Sequence, residues 1–150
     1  MYQVRDWLFI SGSTEAADTA LLKQHKIQAL LSLHVKIAAG GVEVLFLPVQ
    51  EGVPLTAVVI QQGVAFVQAA HAKKRQVLVA CGMGVSRSVT FTTAALHVIE
   101  NIPLHDAFLS IQAKHAKALP DHVHWDSLLA VYGPDWDYWT LWRQAMGEKE

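Results

Sequence analysis

The sequence predicts an α/β fold, a mostly parallel central sheet of about four to five strands flanked by helices on both faces. The strand candidates at residues 27–33 and 77–80 are near-continuous apolar runs without polar alternation, as expected of strands buried on both faces. Strand and helix patterns also alternate along the chain, the arrangement that parallel strands joined by crossover helices require. The composition agrees: of 150 residues, 52% are hydrophobic and only 17% charged, against about 25% charged in an average soluble chain. No repeat, low-complexity segment or linker-like run interrupts it. The expectation is one domain over residues 1–150 with an extra aromatic helix at about 134–147.

The elements follow in order. Residues 7–10 form a short strand stopped by Ser11-Gly12-Ser13. Asp18 is an N-cap for a helix running to His25, and residues 27–33 make the second strand. Gly40-Gly41 is a turn, and residues 44–47 are a third strand closed by Pro48 and Gly52. After Pro54 a helix runs to about Lys73, with Val58, Val59, Val64, Phe66 and Val67 assigned to its apolar side. Residues 77–80 are the fourth strand, followed by a glycine-containing loop over 81–87 and a helix over 88–100. Further helices start near Pro103, Asp121 and Asp135.

Charge and cysteine count exclude several classes. Twelve Lys plus Arg against 13 Asp plus Glu give a formal net charge of −1. Such a chain has no global pull on nucleic acid or an anionic membrane, so neither partner is expected and an anion site must be local. No apolar stretch approaches the roughly 18 residues of a membrane span, and the first apolar run is too short for a signal peptide. The expected location is cytoplasmic. The single cysteine, Cys81, excludes an intramolecular disulfide and thiolate-rich zinc sites.

Cys81 stands where ligands bind parallel sheets, at the C-terminal end of a strand and before a helix. The stretch Cys81-Gly82-Met83-Gly84-Val85-Ser86-Arg87-Ser88 puts an Arg after five intervening residues. A loop of this length curling into a helix N-terminus turns backbone N–H groups toward its centre and forms an anion cradle of phosphate size. Gly82 and Gly84 permit the tight backbone. Arg87 offers a planar fork for two phosphoryl oxygens. The same field favours a thiolate at Cys81, a nucleophile in line with the ester oxygen of a bound phosphate monoester.

These residues resemble the Cys-x5-Arg-Ser/Thr signature of protein tyrosine phosphatases, and the Ser-Arg-Ser ending with the small size is most similar to the dual-specificity subfamily. Leu8-Phe9-Ile10-Ser11-Gly12-Ser13 resembles that family's opening strand and turn, and Leu47-Pro48-Val49 the segment before its acid loop. The resemblance implies that Cys81 forms a phosphocysteine intermediate. It also implies that Arg87 and the amides of Gly82, Met83, Gly84, Val85, Ser86 and Arg87 bind the phosphoryl group. Ser88 occupies the hydroxyl position that assists departure of the sulfur. No metal or organic cofactor is implied.

Two departures from the family pattern stand out. Ala80 replaces the His that often precedes the nucleophile. No Asp lies between Asp18 and Cys81, so the family's general acid is missing; aligning the proline of Leu47-Pro48-Val49-Gln50-Glu51-Gly52 puts Glu51 there. A Glu can donate the proton if the loop absorbs its extra methylene; alternatively Glu51 is a solvated carboxylate, and the chain is a phosphate-binding module or pseudophosphatase with weak turnover.

Asp135, in Gly133-Pro134-Asp135-Trp136-Asp137, is read as an N-cap for the last helix rather than as an acid. His115, His122 and His124 are read as surface histidines, not metal ligands, and Lys73-Lys74-Arg75 as a solvated turn. The cluster Trp125, Trp136, Trp139 and Trp142 reads as a helix docked on the core, with an exposed homodimer or partner face as the alternative. No lysine lies between Cys81 and Arg87, which favours a monoester on a protein side chain over polyphosphates. The expected partner is therefore a phosphorylated protein or peptide. A single cysteine also speaks against an arsenate-reductase-like enzyme, whereas a rhodanese-like persulfide carrier needs only one.

Overall fold

Alternate side chains of a strand point to opposite faces, so an unbroken apolar run requires a cover on both. The computed structural model describes residues 1–147; the last three residues of the expected 1–150 domain lie outside the described residues. It contains five strands: β1 (Tyr2–Arg5), β2 (Leu8–Gly12), β3 (Ile27–Ser32), β4 (Glu43–Phe46) and β5 (Gln76–Cys81), in spatial order β1-β2-β5-β3-β4. The pairs β2–β5, β5–β3 and β3–β4 are parallel, and only β1 is antiparallel, at one edge. The expected fold class is observed.

From β5, Val77, Val79 and Cys81 enter the larger core, whereas Leu78 and Ala80 enter the smaller. The larger core is closed by α3 (Ala57–Ala72), α4 (Arg87–Glu100), α5 (Leu104–Gln112), α6 (His122–Tyr132) and α7 (Tyr138–Ala145). The smaller is closed by α1 (Ser13–Ala16), α2 (Thr19–Gln24) and the chain around Ile37. Because β5 is central, its C-terminal end lies between the ends of β2 and β3, at the switch point where connections leave to either side.

Several expectations change. Strand β1 and the single turn α1 were not anticipated: β1 buries only Val4 and sits at an edge, and α1 has no side-chain cap. The edge strand is tied to the end of α4 by Arg5, whose Nε and Nη2 donate to Glu100 at 2.8 Å. Val58 is exposed; the buried stripe of α3 is Ile60, Gly63, Val64, Val67 and Ala70. Helix α7 is capped by Asp137, not Asp135. Asp137 Oδ1 accepts from Thr140 N–H at 2.8 Å, and these Thr140 hydrogen bonds hold its carboxyl below the ordinary range. Asp135 is occupied elsewhere, accepting from Trp136 N–H and lying 2.7 Å from His105 Nδ1.

Helix α7 docks on the core through Tyr138 and Leu141, beside the fully buried Trp125, whose indole N–H donates to Trp136 O at 2.8 Å. Of the four tryptophans considered above as a homodimer face, Trp125 is buried in the core, while Trp139 is exposed, as is Met146.

Helices α3 and α4 meet at Gly63, where an alanine methyl would lie 2.4 Å from Phe91 Cδ1. Overpacking a core by one methyl costs about 1–3 kcal/mol, against the roughly 1 kcal/mol by which Ala favours a helix over Gly. Gly63→Ala should therefore lower the urea midpoint, and adding Phe91→Leu should recover part of the loss.

Candidate active site

Strand β5 ends at Cys81 and α4 begins at Arg87, so the 81–87 loop must reverse the chain at the sheet's C-terminal end. Its carbonyl oxygens are taken up from outside. Ser13 donates from its hydroxyl to Cys81 O at 3.0 Å and from its amide to Gly82 O at 3.2 Å. His115 Nε2 lies 2.8 Å from Gly84 O, and Leu119 N–H donates to Val85 O at 3.0 Å. Ser86 O accepts from both the amide and the hydroxyl of Thr90. With these carbonyls held outward, the loop's amides are free to face its centre.

Gly84 makes the curl sterically feasible. It has φ +75°, and a Cβ there would lie 2.6 Å from Ser11 C and 2.8 Å from Gly12 N at the end of β2. At the loop's floor, Cys81 is 1% exposed; Gly84 N–H donates to its Sγ at 3.2 Å, and Ser88 Oγ lies 3.2 Å away. Ala80 points into the smaller core, on the face opposite Cys81, while its carbonyl accepts from Leu33 N–H.

Arg87 is held from across the switch point. Its Nη1 donates to Val49 O at 3.0 Å and lies 3.2 Å from His34 Nδ1. Glu51 Oε1 is 3.8 Å from Arg87 Nε. That Nε and Ser86 Oγ are buried with no hydrogen-bond partner, two unused donors beside a cradle of oxyanion size. An open cleft of about 710 Å³ lies in front, lined by His34, Pro48, Val49, Gln50, Glu51 and Arg87. Within the loop itself, Met83 is 83% exposed. A second cleft of about 630 Å³, between Lys23, Lys26 and Gly41, touches none of these residues.

Cys81, Arg87, Ser88 and Glu51, far apart in sequence for the last, are therefore gathered at one end of the sheet. His34 was missed. The signal available was its position just past a strand parallel to β5, at the same end of the sheet. The surface reading of His115 and His124 is corrected: they are 2% and 0% exposed, each aimed at backbone carbonyls, and only His122 lies at the surface. Tyr2 stacks on His115 with ring centroids 3.7 Å apart. No group of three or more His, Cys, Asp or Glu side chains placed to hold a metal occurs among the described residues.

A strand-loop-helix cradle with a cysteine floor and an arginine wall defines the cysteine phosphatase class of fold. Solved structures of that class superpose on the chain. Human DUSP28 does so with a TM-score of 0.79 at 24% identity, covering 87% of this chain and 94% of that one. A mouse protein assigned to the dual specificity phosphatases, complexed with zinc tungstate, gives 0.80 at 26% identity, covering 97% and 90%. The family model for the dual specificity phosphatase catalytic domain matches residues 8–133, and the chain belongs to that family. Among relatives, Drosophila melanogaster dual specificity protein phosphatase Mpk3 is 27% identical over 129 residues, covering 82% of this chain and 31% of that protein. Human dual specificity protein phosphatase 12 is 33% identical over 121 residues, covering 75% and 35%. The chain thus spans about a third of the length of these curated relatives, and α7 lies beyond the matched segment.

Gly84→Ala should open the loop, because both its left-handed backbone and the contact with β2 forbid a side chain. The strain, on the order of 1–3 kcal/mol, corresponds to about a 5- to 150-fold loss of orthovanadate affinity, measurable by isothermal titration.

Proposed function

We propose that this chain is a metal-independent protein phosphatase that hydrolyses phosphotyrosine, and also phosphoserine and phosphothreonine, through a phosphocysteine intermediate. The observation that supports it best is the cysteine sulfur on the floor of a loop whose carbonyls are turned outward, with Arg87 beside it. Phosphoryl oxygens take the inward amides and the Arg87 fork, which are preorganised for the charge of a trigonal-bipyramidal transition state. Cys81 attacks as the thiolate; the S–P bond forms as the ester P–O bond breaks.

Glu51 gives its proton to the departing oxygen. In the second step a water attacks phosphorus, its proton passes to the Glu51 carboxylate, and the S–P bond breaks. Ser88 then donates a hydrogen bond to the returning thiolate. Glu51 suits this role because its side chain lines the cleft together with Arg87 and is 56% exposed. Its closeness to Arg87, 3.8 Å from Nε, is the observation that favours the second reading, a phosphate-binding module with weak turnover.

Cys81→Ser should abolish hydrolysis of a phosphotyrosine peptide in chelator while retaining vanadate binding; retained turnover would exclude the thiol mechanism. Arg87→Lys should also lose activity, since an ammonium cannot replace the two-pronged contact.

General acid catalysis contributes about 10²–10⁴-fold when the leaving group is poor. Glu51→Gln should therefore slow the phosphotyrosine peptide strongly and 2,4-dinitrophenyl phosphate little. Equal effects would remove Glu51 from the acid role, and a wild type without turnover would establish the binding module.

A further inference from the structure

Helix α6 sends three side chains to one neighbouring segment. Asp121, its N-cap, accepts from Val123 N–H through Oδ1 and from Gly52 N–H through Oδ2 at 2.7 Å. One helical turn along, His124 Nε2 lies 2.9 Å from Gln50 O and 3.0 Å from Val53 O. Ser127 Oγ accepts from Leu55 N–H at 3.0 Å. The spacing 121, 124, 127 lines them up on one helix face.

The segment they hold is the turn Gln50-Glu51-Gly52-Val53. Gly52 has φ +74°, the backbone that the third position of a type II turn demands, which puts Glu51 at the outward corner. His124 spans this turn, because its two carbonyl partners belong to the turn's first and last residues. The ring is fully buried and its Nδ1 has no partner, while Nε2 faces two carbonyl oxygens, which can only accept, so Nε2 carries a proton. Phenylalanine would fill the space without an unpaired ring nitrogen. What the histidine alone supplies is an N–H shared by those two carbonyls.

Glu51 itself is loosely held. Its side chain is 56% exposed, and among the described residues its one ion-pair partner, Arg87, lies 3.8 Å away. A glutamate also has one more rotatable bond than an aspartate, so its reach depends on where the backbone puts its Cα. We propose that His124 is a positioning residue for proton transfer: by clasping the carbonyls of Gln50 and Val53 it holds the turn so that the Glu51 carboxyl faces Arg87 and the leaving oxygen. The assignment rests on the reading of Glu51 as the general acid.

The test compares wild type, His124→Phe, His124→Gln, Glu51→Gln and the double variant His124→Phe/Glu51→Gln on a phosphotyrosine peptide and on 2,4-dinitrophenyl phosphate. His124→Phe should lose about tenfold or more in kcat on the peptide and under about threefold on the activated ester, a fraction of the acid contribution. His124→Gln, whose amide restores a donor, should recover part of the peptide rate. The double variant should be no slower than Glu51→Gln alone, since both act on one step. Amide exchange at Gly52 should quicken in His124→Phe with the core amides of β5 unchanged.

If His124→Phe matches wild type on both substrates, or slows both equally, while Glu51→Gln remains selective for the peptide, the positioning role fails and the acid stands. If Glu51→Gln is unselective, the acid reading fails and this role with it. Should His124→Phe not fold, His124→Gln decides: a selective, smaller loss on the peptide supports the role, and an unselective one overturns it.

Discussion

The carbonyl oxygens of the 81–87 loop impose the constraint on which the rest of the site depends. A loop can offer its amides to an anion only if the carbonyls on the same peptide units turn away and are satisfied there. Here Ser13, His115, Leu119 and Thr90 provide those partners, from three different segments of the chain: α1, the α5–α6 connection and α4. Truncating His115 would leave the Gly84 carbonyl without its side-chain donor, at a typical cost of about 1–3 kcal/mol. The anion cradle is thus an outcome of tertiary packing, expressed at the end of a strand.

The central position of β5 explains how such distant segments reach the loop. With β2 on one side and β3 on the other, the end of β2 meets Gly82 and Gly84, and the chain after β3 and after β4 brings His34 and Val49 to Arg87. The apolar alternation of β5 between two cores keeps this strand rigid from both faces, so the cysteine at its end has little freedom to shift. Rigidity of the scaffold and precision of the site are one property.

Helix α6 plays a comparable part for the other half of the cleft. It buries Trp125 and Leu128 in the core and, on the adjoining face, anchors the turn that carries Glu51. Nucleophile and proton-donor candidates are therefore fixed by separate elements that share one core. On the proposed reading of Glu51 as the acid, the anchored backbone beneath it is what would let a longer carboxylate serve.

Much of this was legible in the chain. Unbroken apolar runs at 27–33 and 77–80 require two-sided burial, and that requirement yields the parallel sheet. Cys81, the two glycines and Arg87 specify the cradle because strand, tight turn and helix N-terminus are local in sequence. Asp18 and Asp121 announce helix starts for the same reason. What the chain left open was decided by contacts between distant residues. His115 and His124 read as surface histidines because a lone polar residue in a mixed pattern does not show that a carbonyl from 31 or 74 residues away awaits it. Asp135 lost the cap of α7 to Asp137 because His105, on another helix, had already engaged it. Strand β1 carries one buried side chain and could not be told from a loop until β2 paired with it. Local periodicity records which face of an element is buried; only the folded chain determines which hydrogen-bonding groups meet there.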